Sequence, residues 1–203
     1  MRILLIFLMM PAFLAKADAP EKVLLFLGDS LTAGYGVTKN ESYPARLQEK
    51  IHAANSDWRV VNGAESGSLT SSLEERLKFY LNREPRPRVV VIASGGNDAR
   101  QKSSTKNIET QLKSCVRLAK KAKLKVVVVG MKIFPNLGKE YAEEFAAIYP
   151  RLAKKERVKL IPFLLEGVAG LTELNQADGF HPNAKGHEKI AETLWPFIQE
   201  VLK

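Results

Sequence analysis

Residues 22–36 read KVLLFLGDSLTAGYG, an apolar run joined to a polar segment that contains three glycines. The apolar part, at 22–27, is hydrophobic without alternation, which is typical of a parallel strand covered on both faces. The polar part follows at once and carries Asp29 and Ser30 to the end of that strand. The stretch therefore predicts a buried strand that brings polar side chains to the carboxyl edge of a sheet.

Four later segments repeat the strand pattern, and helical patterns lie between them. Their alternation predicts an α/β fold, a doubly wound parallel sheet of about five strands. The strand segments are WRVVN at 58–62, RVVVIAS at 88–94, KVVVVG at 125–130 and VKLIPF at 158–163. The helical segments are marked by Leu73, Leu77, Tyr80 and Leu81, by Tyr141, Phe145, Ile148 and Tyr149, and by Ile190, Leu194, Phe197, Ile198, Val201 and Leu202.

The helical segment near residue 73 has two candidate capping boxes at its start. Ser71 with Glu74, and Ser72 with Glu75, have the S-x-x-E spacing in which the two side chains satisfy backbone N–H groups reciprocally. We predict that one of these pairs begins the helix.

The chain has 203 residues, of which 45% are hydrophobic, and its net charge is +9. This length suits one domain, which we place at 18–203, and the hydrophobic content argues against disorder. Basic residues are scattered as pairs such as Lys120-Lys121 and Lys154-Lys155, without a basic stripe that has interleaved aromatic residues. We therefore interpret the charge as a solvated surface and expect no nucleic-acid partner, while transient contact with a membrane surface stays open.

The first residues form a separate unit. Arg2 precedes the apolar run ILLIFLMMPAFLA, and an A-x-A sequence ends at Ala17. These features are typical of a secretory signal peptide. We expect residues 1–17 to be removed, which takes away Arg2 and Lys16, lowers the net charge from +9 to +7 and leaves a periplasmic or secreted protein. Retention as a membrane anchor is the alternative, although the run is short for a membrane span.

Cys115 is the one cysteine of the sequence. It belongs to an apolar row with helical spacing, which predicts a buried structural thiol rather than a nucleophile. A single cysteine forms no internal disulfide and no cysteine-based metal site. The other members of the row are Ile108, Leu112, Val116 and Ala119.

Four polar segments contain glycine and lie near the ends of predicted elements. Ligands of doubly wound sheets bind outside the carboxyl ends of the strands, so we expect these segments to meet at one edge. They are GDSLTAGYG at 28–36, NGAESGS at 62–68, GGND at 95–98 and, before the last helix, DGFHPN at 178–183.

Three histidines are candidates for a base that would activate a hydroxyl nucleophile. His52 and His187 lie within predicted helices, where a surface or structural role is the simpler interpretation. His181 lies in a loop three residues after Asp178. This spacing lets a carboxylate hold the imidazole Nδ1–H while Nε2 faces outward. The D-x-x-H spacing alone is weak evidence, because such pairs also occur in turns and caps.

Ser30 is the candidate nucleophile, because the first strand delivers it to a turn at the sheet edge. A compatible alternative is that Ser30 caps a helix that begins at Leu31. Gly67 can offer its N–H, and Asn97 its side-chain amide, to a developing oxyanion. Each is also a common turn residue, and we interpret the neighbouring Asp98 as a structural cap.

Other chemistries fit the sequence less well. GDSLTAG matches neither the dinucleotide-binding pattern nor the P-loop pattern. The G-x-S-x-G elbow of α/β-hydrolases does not occur, and the three histidines lack the H-E-x-x-H spacing of zinc enzymes.

Together, the four polar segments resemble the four blocks of the GDSL (SGNH) hydrolases, in the same order. The matching features are GDSLTAGYG, the glycine of NGAESG, the G-x-N-D of GGND and the D-x-x-H of DGFHPN. FAAIYPRLAKK and VKLIPFLLEGV are also similar to the bacterial secreted thioesterase I, lysophospholipase and arylesterase group. The resemblance covers essentially the whole mature chain.

The resemblance implies a three-layer flavodoxin-like fold and a serine hydrolase that needs no cofactor. It implies that Ser30 is the nucleophile, that His181 is the base and that Asp178 orients it. It also implies an oxyanion hole made of the Ser30 N–H, the Gly67 N–H and the Asn97 side chain. The substrates it implies are small acyl esters, thioesters or lysophospholipids.

Two segments bear on substrate preference. Ser68-Leu69 stands where close relatives tend to carry Asp-Thr, which leaves the acyl preference open. The segment from Met131 to Lys139 contains Ile133, Phe134 and Leu137. We predict that it forms an acyl-site wall, and a loop tucked onto the core is the alternative.

Two further functions stay open, a carbohydrate O-acetyl esterase and a non-catalytic binding protein on the same fold.

Overall fold

A central sheet of five parallel strands organises the computed structural model, which describes residues 21–203. The strand order is β2-β1-β3-β4-β5, so the first strand lies inside the sheet. The predicted signal peptide at 1–17 lies outside the described residues. The strands are β1 (Lys22–Gly28), β2 (Trp58–Asn62), β3 (Pro87–Ala93), β4 (Lys125–Val129) and β5 (Lys159–Ile161).

The predicted parallel sheet is confirmed, and the largest difference is the length of β5. This strand ends at Ile161, two residues before the end of the apolar run, because Leu164 N rather than Phe163 N donates to Gly130 O and the regular parallel pairing stops there. The Ile161 carbonyl accepts a hydrogen bond from Gly130 N at 2.8 Å, and Leu164 N donates to Gly130 O at 2.9 Å. The chain then leaves the sheet, so Phe163 becomes available to the loop region beyond the strands.

Helices cover both faces of the sheet, as a doubly wound arrangement requires. Helices α2 and α7 pack against each other, and α5 packs against α3 and α6. The helices are α1 (Ser30–Ala33), α2 (Tyr43–Ala53), α3 (Leu73–Leu81), α4 (Gly96–Arg100), α5 (Thr105–Lys121), α6 (Lys139–Glu156) and α7 (Ala184–Leu202). Within residues 21–203, none of these helices is long and apolar enough to cross a membrane.

The core lies between the sheet and these two layers. Strand β3 is buried from Val89 to Ala93, as its unbroken apolar sequence predicts for a strand covered on both faces. Cys115 is buried on α5, which confirms the predicted structural thiol. Burial raises the pKa of this thiol to about 12, so it stays protonated and unreactive at neutral pH.

The predicted capping boxes are wrong. Residues Thr70–Ser72 form a 3₁₀ turn that runs directly into α3, and Ser72 already has helical backbone angles. The Ser72 hydroxyl therefore donates to Leu69 O at 2.9 Å instead of capping the helix. Glu74 instead pairs with Lys78 one turn later in α3.

Candidate active site

The turn after β1 places Ser30 at the carboxyl edge of the sheet. Gly28 has no space for a side chain, because a Cβ there would lie 2.3 Å from Thr32 Oγ1 and 2.7 Å from Ala93 O. Asp29 Oδ1 accepts a hydrogen bond from Leu31 N at 3.1 Å and caps helix α1. The alternative in which Ser30 is the cap is therefore wrong. Ser30 is the first residue of the helix, and its hydroxyl is free for another partner.

That partner is His181. His181 Nε2 lies 3.0 Å from Ser30 Oγ, and His181 Nδ1 lies 2.6 Å from Asp178 Oδ2. The imidazole is 13% exposed, so it is mostly shielded from water. The structure thus brings three of the predicted site residues into one hydrogen-bonded line.

Asp178 is held in place by its own turn. Its Oδ1 accepts hydrogen bonds from the backbone N–H groups of Phe180 and His181, both at 2.9 Å. The hydrogen bond with the His181 side chain and these two backbone bonds lower the pKa of Asp178 to about 2. Asp178 is therefore ionised at neutral pH and accepts the Nδ1–H of His181, which leaves Nε2 as the acceptor facing Ser30.

The other two histidines lie elsewhere, as predicted. His52 is exposed on α2. His187 is 1% exposed on α7, and its Nδ1 accepts a hydrogen bond from Tyr43 N at 3.3 Å. Burial lowers the pKa of His187 to about 4, so this side chain is neutral at pH 7.

Gly67 and Asn97 lie in segments that contact the end of β1. Gly67 has a φ of 79°, a conformation that favours glycine, and nothing lies within 4 Å of the position of a Cβ there. Asn97 Nδ2 donates to Ser68 O at 3.0 Å, and Ser68 Oγ donates to Gly28 O at 3.2 Å. One amide hydrogen of Asn97 thereby fixes the side chain, and the second is left for another acceptor.

Asp98 has a structural role, as predicted, but it does not cap a helix. It is buried, and its carboxylate accepts hydrogen bonds from Thr70 N at 2.9 Å and Thr70 Oγ1 at 2.6 Å. Gly95, which precedes α4, makes no side-chain cap. Asp98 therefore ties the loop after β2 to α4 instead of capping a helix.

Two side chains that join the loops of the site had no signal in the sequence. Gln176 Nε2 donates to Tyr35 O at 2.7 Å and to Pro182 O at 2.9 Å, which connects the loop after α1 with the loop of His181. Arg76 Nη1 donates to Gly28 O at 2.7 Å from helix α3. An isolated glutamine or arginine has no pattern that marks such a contact, because both join segments far apart in sequence.

Asp29 is a buried acid beside the proposed reaction centre. Burial is the main cause that raises its pKa to about 6, and the hydrogen bond from Leu31 N opposes this shift. Its charge therefore changes in mildly acidic solution.

An apolar cavity of about 460 Å³ lies next to the loop of His181. It includes Phe134 and Leu137 from the segment 131–139, and the Phe134 side chain is 53% exposed. That exposure agrees with a wall that faces the cavity better than with a loop tucked onto the core. The other lining residues are Arg100, Lys132, Ile133, Asn136, Phe163, Leu165, Ala169, Gly170, Asn175, Gly179 and Phe180.

Residues 26–189 match the GDSL-like Lipase/Acylhydrolase family. The chain belongs to this family. It is 34% identical over 202 residues to Esterase TesA of Pseudomonas aeruginosa, with 100% of each chain covered. It is 34% identical over 197 residues to Thioesterase 1/protease 1/lysophospholipase L1 of Escherichia coli, which covers 97% of this chain and 91% of the relative.

A solved structure agrees with this assignment. The crystal structure of TesA superposes with a TM-score of 0.85 at 34% identity, over 89% of this chain and 99% of that one. The flavodoxin-like SGNH hydrolase fold implied by the four motifs is confirmed. The GDSL hydrolase is a carboxylic ester hydrolase with esterase and thioesterase relatives.

Proposed function

We propose that this GDSL hydrolase cleaves acyl esters and thioesters through Ser30 as nucleophile, His181 as base and Asp178 as the residue that orients the base. The observation that carries the proposal is the hydrogen-bonded line from Ser30 Oγ through the imidazole to the Asp178 carboxylate, with distances of 3.0 and 2.6 Å. The first distance allows a proton to pass from Ser30 Oγ to His181 Nε2, and the second allows the Asp178 carboxylate to hold the Nδ1–H.

In the first step, Ser30 Oγ attacks the acyl carbon while its proton moves to His181 Nε2. Asp178 stabilises the imidazolium that forms, and it stays ionised because its pKa is about 2. When the tetrahedral intermediate collapses, His181 returns that proton to the leaving alcohol or thiol. The acyl group remains on Ser30 as an ester.

In the second step, water replaces the leaving group. His181 Nε2 takes a proton from the water as its oxygen attacks the acyl-enzyme, and then gives that proton to Ser30 Oγ as the carboxylic acid departs. The cycle restores the serine hydroxyl and neutral imidazole. Every proton is carried by side chains of this chain.

The proposed oxyanion hole consists of the Ser30 N–H, the Gly67 N–H and the second amide hydrogen of Asn97. Helix α1 begins at Ser30, so its N–H has no acceptor within its own helix. The open space beside Gly67 and the fixed amide of Asn97 support the same assignment. Such donors stabilise the transition state because they are in place before the negative charge develops.

We assign the cavity beside His181 to the acyl chain of the substrate. Phe180 packs edge-on against His181, with ring centroids 4.9 Å apart, and it also lines the cavity. The cavity therefore adjoins His181 through Phe180. Its apolar walls favour an aliphatic chain over an acetylated sugar, which would leave them exposed to water. We also propose that the enzyme acts in the periplasm or outside the cell after cleavage near Ala17.

Labelling with a fluorophosphonate probe tests this function. We expect one covalent adduct on Ser30, no adduct in Ser30→Ala, and full labelling in the control Ser66→Ala, which alters an exposed serine of the loop after β2. An adduct on another serine would overturn the assignment of the nucleophile. A wild-type protein that does not react would favour the binding-protein alternative. A panel of acetyl to long-chain esters and thioesters then defines the acyl preference.

A further inference from the structure

Two cations line the apolar cavity beside His181, and no acidic residue of the described chain lines it with them. The cations are Arg100, the last residue of α4, and Lys132, three residues after the end of β4. Apolar walls that carry two positive charges and no negative one differ from a site made only for a hydrocarbon chain.

Both cations are held over aromatic rings of the cavity. The Arg100 guanidinium carbon lies 5.4 Å from the centroid of Phe180, and the Lys132 ammonium lies 4.6 Å from the centroid of Phe163. These are distances at which a cation is attracted to the face of a ring. Phe180 also packs against His181, so Arg100 lies beside the part of the cavity wall that contacts this histidine.

Neither cation has a carboxylate partner within residues 21–203. Two arginines on other parts of the surface do have one. Arg151 bonds to Glu109 and Glu144, and Arg117 bonds to Glu156. Arg100 and Lys132 are therefore available to a negative group brought by a ligand.

We infer that the cavity is an anion-selective substrate site, which binds esters that carry a carboxylate or a phosphate in addition to the apolar chain. The inference rests on the proposed function and specifies its substrate class. A guanidinium can bind either group through two parallel N–H donors, and an ammonium adds a second charge. The anionic group lies either at the far end of an acyl chain bound in the cavity or on an alcohol part that binds there in place of the acyl chain.

Matched pairs of esters separate these two sources. The acyl arm compares p-nitrophenyl hydrogen adipate, which ends in a carboxylate, with p-nitrophenyl hexanoate. The alcohol arm compares 1-hexanoyl-glycerol-3-phosphate with 1-hexanoyl-glycerol. We expect the anionic member of at least one pair to have a kcat/KM about tenfold higher, the size of one charge-assisted hydrogen bond.

The double variant Arg100→Gln/Lys132→Gln should lower that ratio about fivefold or more. The net charge of +9 attracts all anions, so a control must remove two charges elsewhere. Arg86→Gln/Lys121→Gln does so at two exposed positions near the amino ends of β3 and β4. We expect this control to keep the ratio within about twofold, because surface charges act weakly over long distances.

Binding measured in a Ser30→Ala background keeps the test independent of turnover. The dissociation constant of the preferred anionic ester should rise in the Arg100/Lys132 variant and stay constant in the control. Equal ratios in all three proteins, or equal losses in both double variants, would overturn the inference while leaving an active esterase. Failure to hydrolyse even the neutral esters would contradict the proposed function, and the binding ratios would still decide the anion site.

Discussion

His187 Nδ1 accepts a hydrogen bond from Tyr43 N, and the two rings stack with centroids 6.2 Å apart. This contact occupies the ring nitrogen that a catalytic histidine presents to its carboxylate. His187 therefore joins α7 to α2, the helix pair on one face of the sheet. His181 and His187 are only six positions apart, yet they lie in different environments. His181 contacts Ser30, whereas His187 contacts the backbone of Tyr43.

Alanine substitution at each histidine separates catalysis from stability. His181→Ala should lower kcat by roughly 10⁴-fold or more with little change in melting temperature, because the proposed base is lost. His187→Ala should keep kcat within about threefold at a temperature where it is folded, and should lose about 2–4 kcal/mol of stability. Kinetics and thermal melts on the same preparations check this, and equal catalytic losses would refute the assignment of the base.

The titration of His187 should be visible in the pH dependence of stability. Its pKa falls from 6.5 to about 4 on folding, so the unfolded state binds more protons between these values. This histidine therefore makes the protein less stable as the pH drops from about 6.5 to 4. Its full effect corresponds to about 3 kcal/mol. His187→Gln keeps an acceptor for Tyr43 N and does not titrate, so that loss should be absent in urea titrations across this range.

Asp29 should change the pH dependence of stability in the opposite direction. Its pKa rises from 3.8 to about 6 on folding, so the native state binds more protons in this range. Asp29 therefore lowers stability as the pH rises from about 4 to 6, again by about 3 kcal/mol. Asp29→Asn keeps the cap acceptor for Leu31 N and should remove this loss. The difference in stability from wild type should then grow with pH, and a constant difference would contradict a titrating Asp29.

Asn97→Ala should lower kcat by roughly 10²–10³ with a small change in KM. The substrate carbonyl is nearly neutral, whereas the tetrahedral oxygen is charged, so the lost donor matters mainly in the transition state. Slow fluorophosphonate labelling of Ser30 should survive. Because Asn97 also bonds to Ser68 O, the melting temperature must be measured beside the kinetics. A loss of stability with kcat within threefold of wild type would show that Asn97 is a structural contact of the loop and not an oxyanion donor.

Phe134→Ala should change chain-length preference more than the rate on acetyl esters. The ring lines the cavity, so its removal should lower kcat/KM for octanoyl esters roughly five- to tenfold and for acetyl esters less than about twofold. Phe79→Ala is the matched control, since Phe79 is also about half exposed but lies on α3. A uniform loss across all chain lengths would indicate a structural role for Phe134.

The sheet was predictable from sequence because burial on both faces leaves an unbroken apolar run in each strand. The proximity of Ser30, Asp178 and His181 was expected chiefly from the resemblance of the four polar segments to the hydrolase blocks, because the D-x-x-H spacing alone also occurs in turns and caps. The bond of Gln176 to Tyr35 O and that of Arg76 to Gly28 O were not, because the partners are 141 and 48 positions apart.

Helix starts were the least predictable feature. The spacing of Ser71 and Glu74 is compatible with a capping box. The preceding 3₁₀ turn, however, already has helical backbone angles at Ser72, so no side-chain cap forms there. The cap of α1 is Asp29 rather than Ser30, a shift of one residue that propensity does not resolve. Because Asp29 is the cap, the Ser30 hydroxyl takes no part in capping and lies 3.0 Å from His181 Nε2.

Ser30 and His181 are 151 positions apart, and all five strands precede both His181 and α7. A chain growing on the ribosome thus contains the proposed nucleophile early and the proposed base almost last. Under the proposed roles, the chain has no hydrolase activity through most of its synthesis, because His181 is not yet present to activate Ser30. Hydrolysis starts when the final residues dock, so cleavage between Ile161 and Asp178 would leave the sheet sequence whole and the enzyme inert.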